Sequence, residues 1–251
     1  MKQAIKKRWI YILILFGFFI SSCQAGNFTA TVAATLPAQP AVTQASPEAI
    51  PEMSAKPQPQ EIDFQGCPPQ GDGGDPKLNR LKNRVDQGDY VPVSFDAVMG
   101  LTWPKATERS EMSSWSSADA AAIGRNEGIP ISVEGYLAMA RESGPESCNC
   151  HGADPAFHDW HIWLTKEPGD ARAAAIIVET TPRVRPDHPG WTLTALDKIV
   201  KNQEKVRISG WLFFDPEHPD QLGKTRGTLW EIHPVMKIEI VSPDGQITEL
   251  K

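Results

Sequence analysis

From residue 129 onward, apolar and polar positions fall into short regular runs separated by glycine, proline and charged turns. Ile131-Ser132-Val133-Glu134-Gly135-Tyr136-Leu137-Ala138-Met139 follows the two-residue period of a strand, and Trp160-His161-Ile162-Trp163-Leu164 repeats it. Ala173 to Thr180 is a continuous apolar run, as expected of a buried strand. Thr194-Ala195-Leu196-Asp197 then opens a helix in capping-box style that runs to about Lys201. A fourth strand spans Val206 to Phe214, and a fifth lies around Thr228 to Ile240, interrupted or bulged at Pro234 because proline cannot donate to a ladder. Upstream, Leu78, Leu81 and Val85 share one helix face, with Asp75 as N-cap and Pro76 at the first helical position. A second helix is expected over Ser117 to Arg125, and Val91 to Gly100 reads as partly extended. Residues 61–128 therefore form an α-rich N-terminal elaboration on a β domain at 129–251.

Strand, strand, strand, helix, strand, strand is the chain order of an OB-fold, a five-stranded Greek-key barrel with a helix between its third and fourth strands. Val133-Glu134-Gly135-Tyr136 resembles the opening strand, where glycine lets the chain coil around the barrel, and Ile208-Ser209-Gly210-Trp211 resembles the fourth strand. The expected fold is thus mainly β with helices, an OB-like barrel of the β-β-β-α-β-β kind. The same pattern also allows a small β-sandwich with one crossing helix. Gly144 to His151 and Gly227 to Val235 are similar to segments of a group of uncharacterised bacterial exported proteins, a resemblance that implies one domain type and no activity.

The front of the chain has a different character. Lys2, Lys6, Lys7 and Arg8 precede an apolar run from Trp9 to Ile20, which closes on Ile20-Ser21-Ser22-Cys23. This resembles a bacterial lipoprotein signal, 1–22, cleaved before a cysteine that becomes lipidated. The run is short for a bilayer-spanning helix, which needs about 20 residues. Residues 23–60 are rich in Pro, Ala, Thr and Gln and too poor in large apolar residues to offset their chain entropy, so they read as a disordered tether. The resemblance implies a bacterial cell-envelope protein, lipid-anchored on the extracytoplasmic side, with the membrane as partner. Residues 61–251 hold 20 of the 25 basic and 29 of the 31 acidic residues. That acidic balance argues against a phosphate-neutralising nucleic-acid surface.

The densest reactive cluster is Cys148, Cys150, His151, His158, Asp159 and His161. Cys148, Cys150, His151, His158 and His161 are candidate ligands for Zn or Cu, since thiolate and imidazole suit such ions, although Cys-x-Cys is not the usual structural zinc spacing. With Cys23 lipidated, Cys67, Cys148 and Cys150 form an odd set in an oxidising compartment. A disulfide from Cys67 to Cys148 or Cys150 would staple the elaboration to the barrel and leave one thiol. No nucleophile elbow, Walker loop or Rossmann fingerprint is present in the sequence, and Gly71 to Gly74 leads into Asp75, an N-cap rather than a phosphate site. Asp215 to Asp220 reads as a rigid, solvated turn. Trp163, Trp211, Trp230 and His233 are candidates for a ligand-stacking barrel face, flanked by Arg80, Lys82, Arg84, Arg183 and Arg185 as a basic stripe. The leading expectation is a non-catalytic binding or scaffolding module for a saccharide, peptide or protein ligand. Two others accompany it: a metal-dependent hydrolase using His151, His158 and His161 with Glu231 or His233 nearby as acid or base, and a binder of single-stranded nucleic acid.

Overall fold

The computed structural model describes residues 49–53 and 55–251. The leader, Cys23 and most of the tether lie outside the described residues. The elaboration contributes helix α1 (Pro76–Lys82), strand β1 (Val91–Val93), α2 (Phe95–Met99) and α3 (Ser117–Gly124). The second half contributes β2 (Pro130–Glu142), β3 (Trp160–Thr165), β4 (Ile176–Thr180), α4 (Leu193–Asn202), β5 (Lys205–Phe214), β6 (Trp230–Val241) and β7 (Ile247–Glu249). The pairs β2–β3, β3–β4, β4–β6, β6–β5 and β5–β2 close a five-stranded ring, antiparallel except for β4–β6. That closure is OB-like and excludes the open sandwich. β1 adds to β2 in parallel, and β7 folds back on β6 after the Ser242-Pro243-Asp244-Gly245 turn.

Gly135 sits where β2 changes partner. Residues 130–136 pair with β5 and residues 136–142 with β3. A Cβ at Gly135 would stand 2.4 Å from the Thr165 carbonyl oxygen, and one at Gly210 would stand 2.3 Å from that of Pro234. Both glycines therefore permit backbone approaches that a side chain would block. The ladder slips around Gly210, opposite Pro234, as the interrupted fifth strand requires.

Strand alternation sorts the barrel wall into two faces. Ile162, Leu164, Ile176, Val178, Leu212, Phe214, Trp230 and Ile232 form one connected interior, and Leu196 and Ile199 of α4 pack into it. Burial of each such side chain contributes about 1.5–3 kcal/mol. The residues between them, His161, Trp163, Ile177, Glu179, Phe213, Glu231 and His233, point outward.

Several local expectations shift. The α4 cap is Thr192, whose side chain accepts from the Ala195 N–H, two residues before the expected Thr194. The segment after Val93 turns helical at once, because Ser94 caps α2 by accepting from Ala97 N–H. Arg172–Ala174 forms a 3-10 turn, so β4 starts at Ile176. Asp75 does cap α1, accepting from Lys77 N–H at 2.9 Å. The described end of the tether lies on the fold rather than beyond it. Ile50 and Met53 pack against the core, Lys56 donates to the Glu127 carbonyl at 2.6 Å, and the Gln60 carbonyl accepts from Val85.

Candidate functional site: a buried ionic chamber on the barrel wall

In OB barrels the wall formed by the second and third strands commonly meets ligand. Here that wall, β3 and β4, continues into β6 and is roofed by three segments. The loop 143–159 crosses it, α1 lies beside it with the Lys82 ammonium 5.9 Å from the Phe213 ring centroid, and the loop 215–229 closes the far side. A disulfide between Cys67 and Cys150 holds the roof, with Cα atoms 5.8 Å apart and a sequence separation of 83. Arg183 secures it from below, donating to Asn83 Oδ1 at 2.8 Å, Asn149 Oδ1 at 2.9 Å and the Cys67 carbonyl at 3.1 Å.

The outward residues of the wall meet the roof in a line of alternating charge. His161 Nε2 lies 3.5 Å from Glu146 Oε1 and 3.2 Å from Glu179 Oε2. His233 Nδ1 follows, 3.6 Å from Glu179 Oε2 and 3.7 Å from Glu231 Oε2. Arg226 Nη1 then donates to both Glu231 Oε1 and Asp215 Oδ2 at 2.6 Å, and His218 Nδ1 ends the line 2.7 Å from Asp215 Oδ2. Asp159 lies beneath, its Oδ2 3.9 Å from His233 Nε2 and its Oδ1 accepting from Asn149 Nδ2 at 3.0 Å. Asp159, Glu179, Glu231, His233, Asp215 and Arg226 are all buried. The mouth is at Glu146 and His161, whose side chains are 25% and 18% exposed.

These partners set the protonation states. Burial opposes charge on Glu179, but His161 and His233 outweigh it and hold its carboxyl below the usual range. Burial likewise opposes charge on His161, yet Glu179 and Glu146 push its imidazolium up to about 11. His233 is raised for the same reason, by Glu179 and Glu231 against burial. Asp159 is pushed up to about 6 by burial and by Glu146. Burial also raises Glu231, and burial with Asp159 raises the Cys148 thiol well above its usual value. The resulting wall interleaves anions and cations and holds one buried thiol that keeps its proton.

The five Cys and His residues expected to gather do not converge. Cys150 is consumed by the disulfide, and it and His151 adopt left-handed backbone at φ 53° that points His151 to solvent. His158 is spent on Glu142 Oε1 at 2.9 Å and the Gly152 carbonyl at 3.0 Å. His161 alone enters the chamber, while Cys148 borders it, 3.8 Å from Asp159 Oδ2. The expected stacking face is also absent among the described residues. Trp230 is core, and Trp163 is buried between Arg141 and Arg172. Trp211 is clamped under Arg84, whose guanidinium lies 3.3 Å from its ring centroid, while its indole N–H donates to the Asp86 carbonyl. His233, the fourth candidate, belongs to the chamber. The basic stripe dissolves too, since Lys82, Arg84 and Arg183 are buried and paired. Asp215 is a buried partner of Arg226 rather than part of a solvated turn.

Glu146, Glu179, Asp215, Arg226 and Lys82 carry no motif. For Glu179 one signal existed: a charged residue inside an otherwise apolar strand, at the parity of His161 on its neighbour, with which it is paired in register.

No protein-family model matches the chain, and no curated protein matches it. Among solved structures, the chain is similar to an OBody bound to hen egg-white lysozyme, with 17% identity, a TM-score of 0.29, and coverage of 48% of this chain and 85% of that one. The assignment of the barrel therefore rests on the strand pairing described above.

Proposed function

We propose that this protein is a lipid-anchored, extracytoplasmic binding module that encloses a small charged ligand in the chamber on its barrel wall. The observation that carries the reading is His233. Its side chain is fully buried within 4 Å of three carboxylates, and neither ring nitrogen has a hydrogen-bond partner among the described residues. Buried polar groups are ordinarily satisfied, and an orphaned imidazole among carboxylates calls for a further group between them. The line of charges reaches solvent at its ends, at Glu146 and His161 and at His218, while its middle is buried, which suits an ion or small molecule rather than a polymer. Burial of Trp163, Trp211 and Trp230 removes the stacking surface that a saccharide or a single nucleic-acid strand would use. Binding is favoured over hydrolysis because a polymeric or bulky substrate has no approach to the enclosed carboxylates. The basic leader ending in Ile20-Ser21-Ser22-Cys23 supports the anchor.

Native mass spectrometry of the full chain extracted from its membrane in detergent tests both halves. The expected result is a lipid mass on Cys23 and a small mass retained by the folded protein. An intact, unlipidated amino-terminus would refute the anchor, and a folded chain that never retains or gains a small ligand would refute the module. Cys23→Ala should move the protein to the soluble fraction with its barrel folded.

A further inference from the structure

We infer that the chamber ligand is a divalent transition-metal ion held by Asp159, Glu179 and His233, with Glu146 and His161 forming its entry. This rests on the reading of the chamber as an enclosed binding site and names its occupant.

The donor atoms of Asp159, Glu179 and His233 all lie within 4.8 Å of one another and all three residues are buried. Two donors at about 2.0–2.1 Å from a tetrahedral zinc ion stand about 3.3–3.4 Å apart. The 3.6 Å between His233 Nδ1 and Glu179 Oε2 is therefore within a few tenths of an ångström of a coordinating spacing. It is too long for a hydrogen bond of normal strength. His233 has no other use for that nitrogen among the described residues.

Charge points the same way. Five carboxylates line the chamber: Glu146, Asp159, Glu179, Glu231 and Asp215. Lys82 and Arg226 are the only permanent cations among the described residues within 4.0 Å of any of them. His161, His218 and His233 supply the remaining positive charge when protonated, and a divalent ion between Asp159 and Glu179 takes over the compensation that the His233 proton otherwise gives.

The surroundings orient the donors as outer partners of a metal site do. Arg183 holds Asn149, and Asn149 donates to Asp159 Oδ1, which leaves Oδ2 free, 3.9 Å from His233 Nε2, to turn toward an ion shared with Glu179 at Nδ1. Arg226 holds Glu231 Oε1, leaving Oε2 3.7 Å from His233 Nδ1 as an outer partner. A second group, Glu146, His161 and Glu179, shares Glu179 and reaches the mouth, so an ion passes from partly exposed to buried ligands through one common carboxylate. Imidazole with carboxylates suits zinc and its neighbours in the first transition row rather than calcium or magnesium, which take oxygen alone. The set differs from the cysteine-based site expected at 148–161, because the disulfide removes Cys150.

The test is zinc uptake by the full chain in detergent after treatment with a chelator, read by elemental analysis and by competition with a chromophoric chelator. One zinc per chain is expected, lost in Glu179→Gln and in His233→Gln and weakened about 10- to 100-fold in Glu231→Gln, which removes an outer partner. Zinc held equally by the Glu179 and His233 variants, or not at all by the wild type, overturns the assignment. Should either variant misfold, cobalt substitution of the wild type decides. A cobalt spectrum without thiolate charge transfer, unchanged by Cys148→Ser, supports Asp159, Glu179 and His233. A sulfur-to-cobalt band that Cys148→Ser abolishes overturns them in favour of the neighbouring Glu146, Cys148 and Asp159 group. A wild type that takes no metal yet retains a small non-metal mass refutes the ion and leaves the enclosed-ligand reading standing.

Discussion

The staple between Cys67 and Cys150 closes a loop of 83 residues that contains most of the elaboration and all of β2. Replacing both cysteines by alanine restores to the unfolded chain the freedom that this closure removes. For a loop of that length the chain-entropy relation gives about 4.5 kcal/mol at 25 °C. The double variant is the correct perturbation because a single change invites re-pairing. Cys148 sits two residues from Cys150, with its backbone oxygen 3.7 Å from the Cys67 sulfur and its thiol turned toward Asp159, so Cys150→Ala leaves a nearby thiol that can pair with Cys67 if the loop rearranges. The assay is chemical denaturation followed by tryptophan fluorescence, to which Trp211 reports directly from its place between Arg84 and the barrel. A loss of about 3–5 kcal/mol is expected, with Cys150→Ala alone losing clearly less under oxidising conditions. A loss under about 1 kcal/mol in the double variant would show that Arg183 and its partners, not the disulfide, hold the roof. A thiol count on the denatured wild type accompanies it: one reactive thiol, Cys148, in the lipidated chain, and two where Cys23 carries no lipid.

Three further outcomes are expected. Arg226→Met leaves Asp215 and Glu231 buried without their shared cation and should cost about 3–5 kcal/mol in denaturation midpoint measurements at neutral pH; a loss under about 1 kcal/mol would mean the pair is solvated. Glu127 is raised from 4.5 to about 7 by burial, with Lys56 opposing and Asp75 reinforcing. The folded state therefore binds more protons than the unfolded state between those values, and stability should fall as pH rises through that window. Glu127→Gln should flatten that slope in melts across pH 4 to 8, and an unchanged slope would remove Glu127 as its source. Gly210→Ala drives a Cβ toward the Pro234 carbonyl and should cost about 1–3 kcal/mol, against near neutrality at Gly144→Ala, where nothing stands within 4 Å; equal effects at both positions would contradict the packing reason.

The barrel was legible because each strand carries its own period. Alternation over Ile131 to Met139 and Trp160 to Leu164, and the glycines at 135 and 210, follow from local sterics and the need to bury one face of a sheet. Helix starts were legible where the cap is local, as at Asp75, and misplaced where two threonines compete, as at Thr192 and Thr194. Of the disulfide, sequence offered Cys67 with either of two neighbours as one candidate, beside a metal site that would use Cys148 and Cys150. The choice of Cys150 depends on the left-handed turn at residues 150 and 151, which sends Cys148 inward to Asp159.

The chamber was hidden for a different reason. Its members come from α1, the loop 143–159, β3, β4, the loop 215–229 and β6, and none lies at a motif spacing from the others. Sequence by itself determined the strand periods, the barrel order, the acidic balance of the folded region and a run of cysteines and histidines that had to have some use. Only the tertiary structure decided which of them meet. Barrel closure brings Glu179 beside His161 and His233, while the roof expels His151 and spends His158 elsewhere. Charge and periodicity are properties of neighbours along a chain, whereas coordination and desolvation belong to neighbours in space.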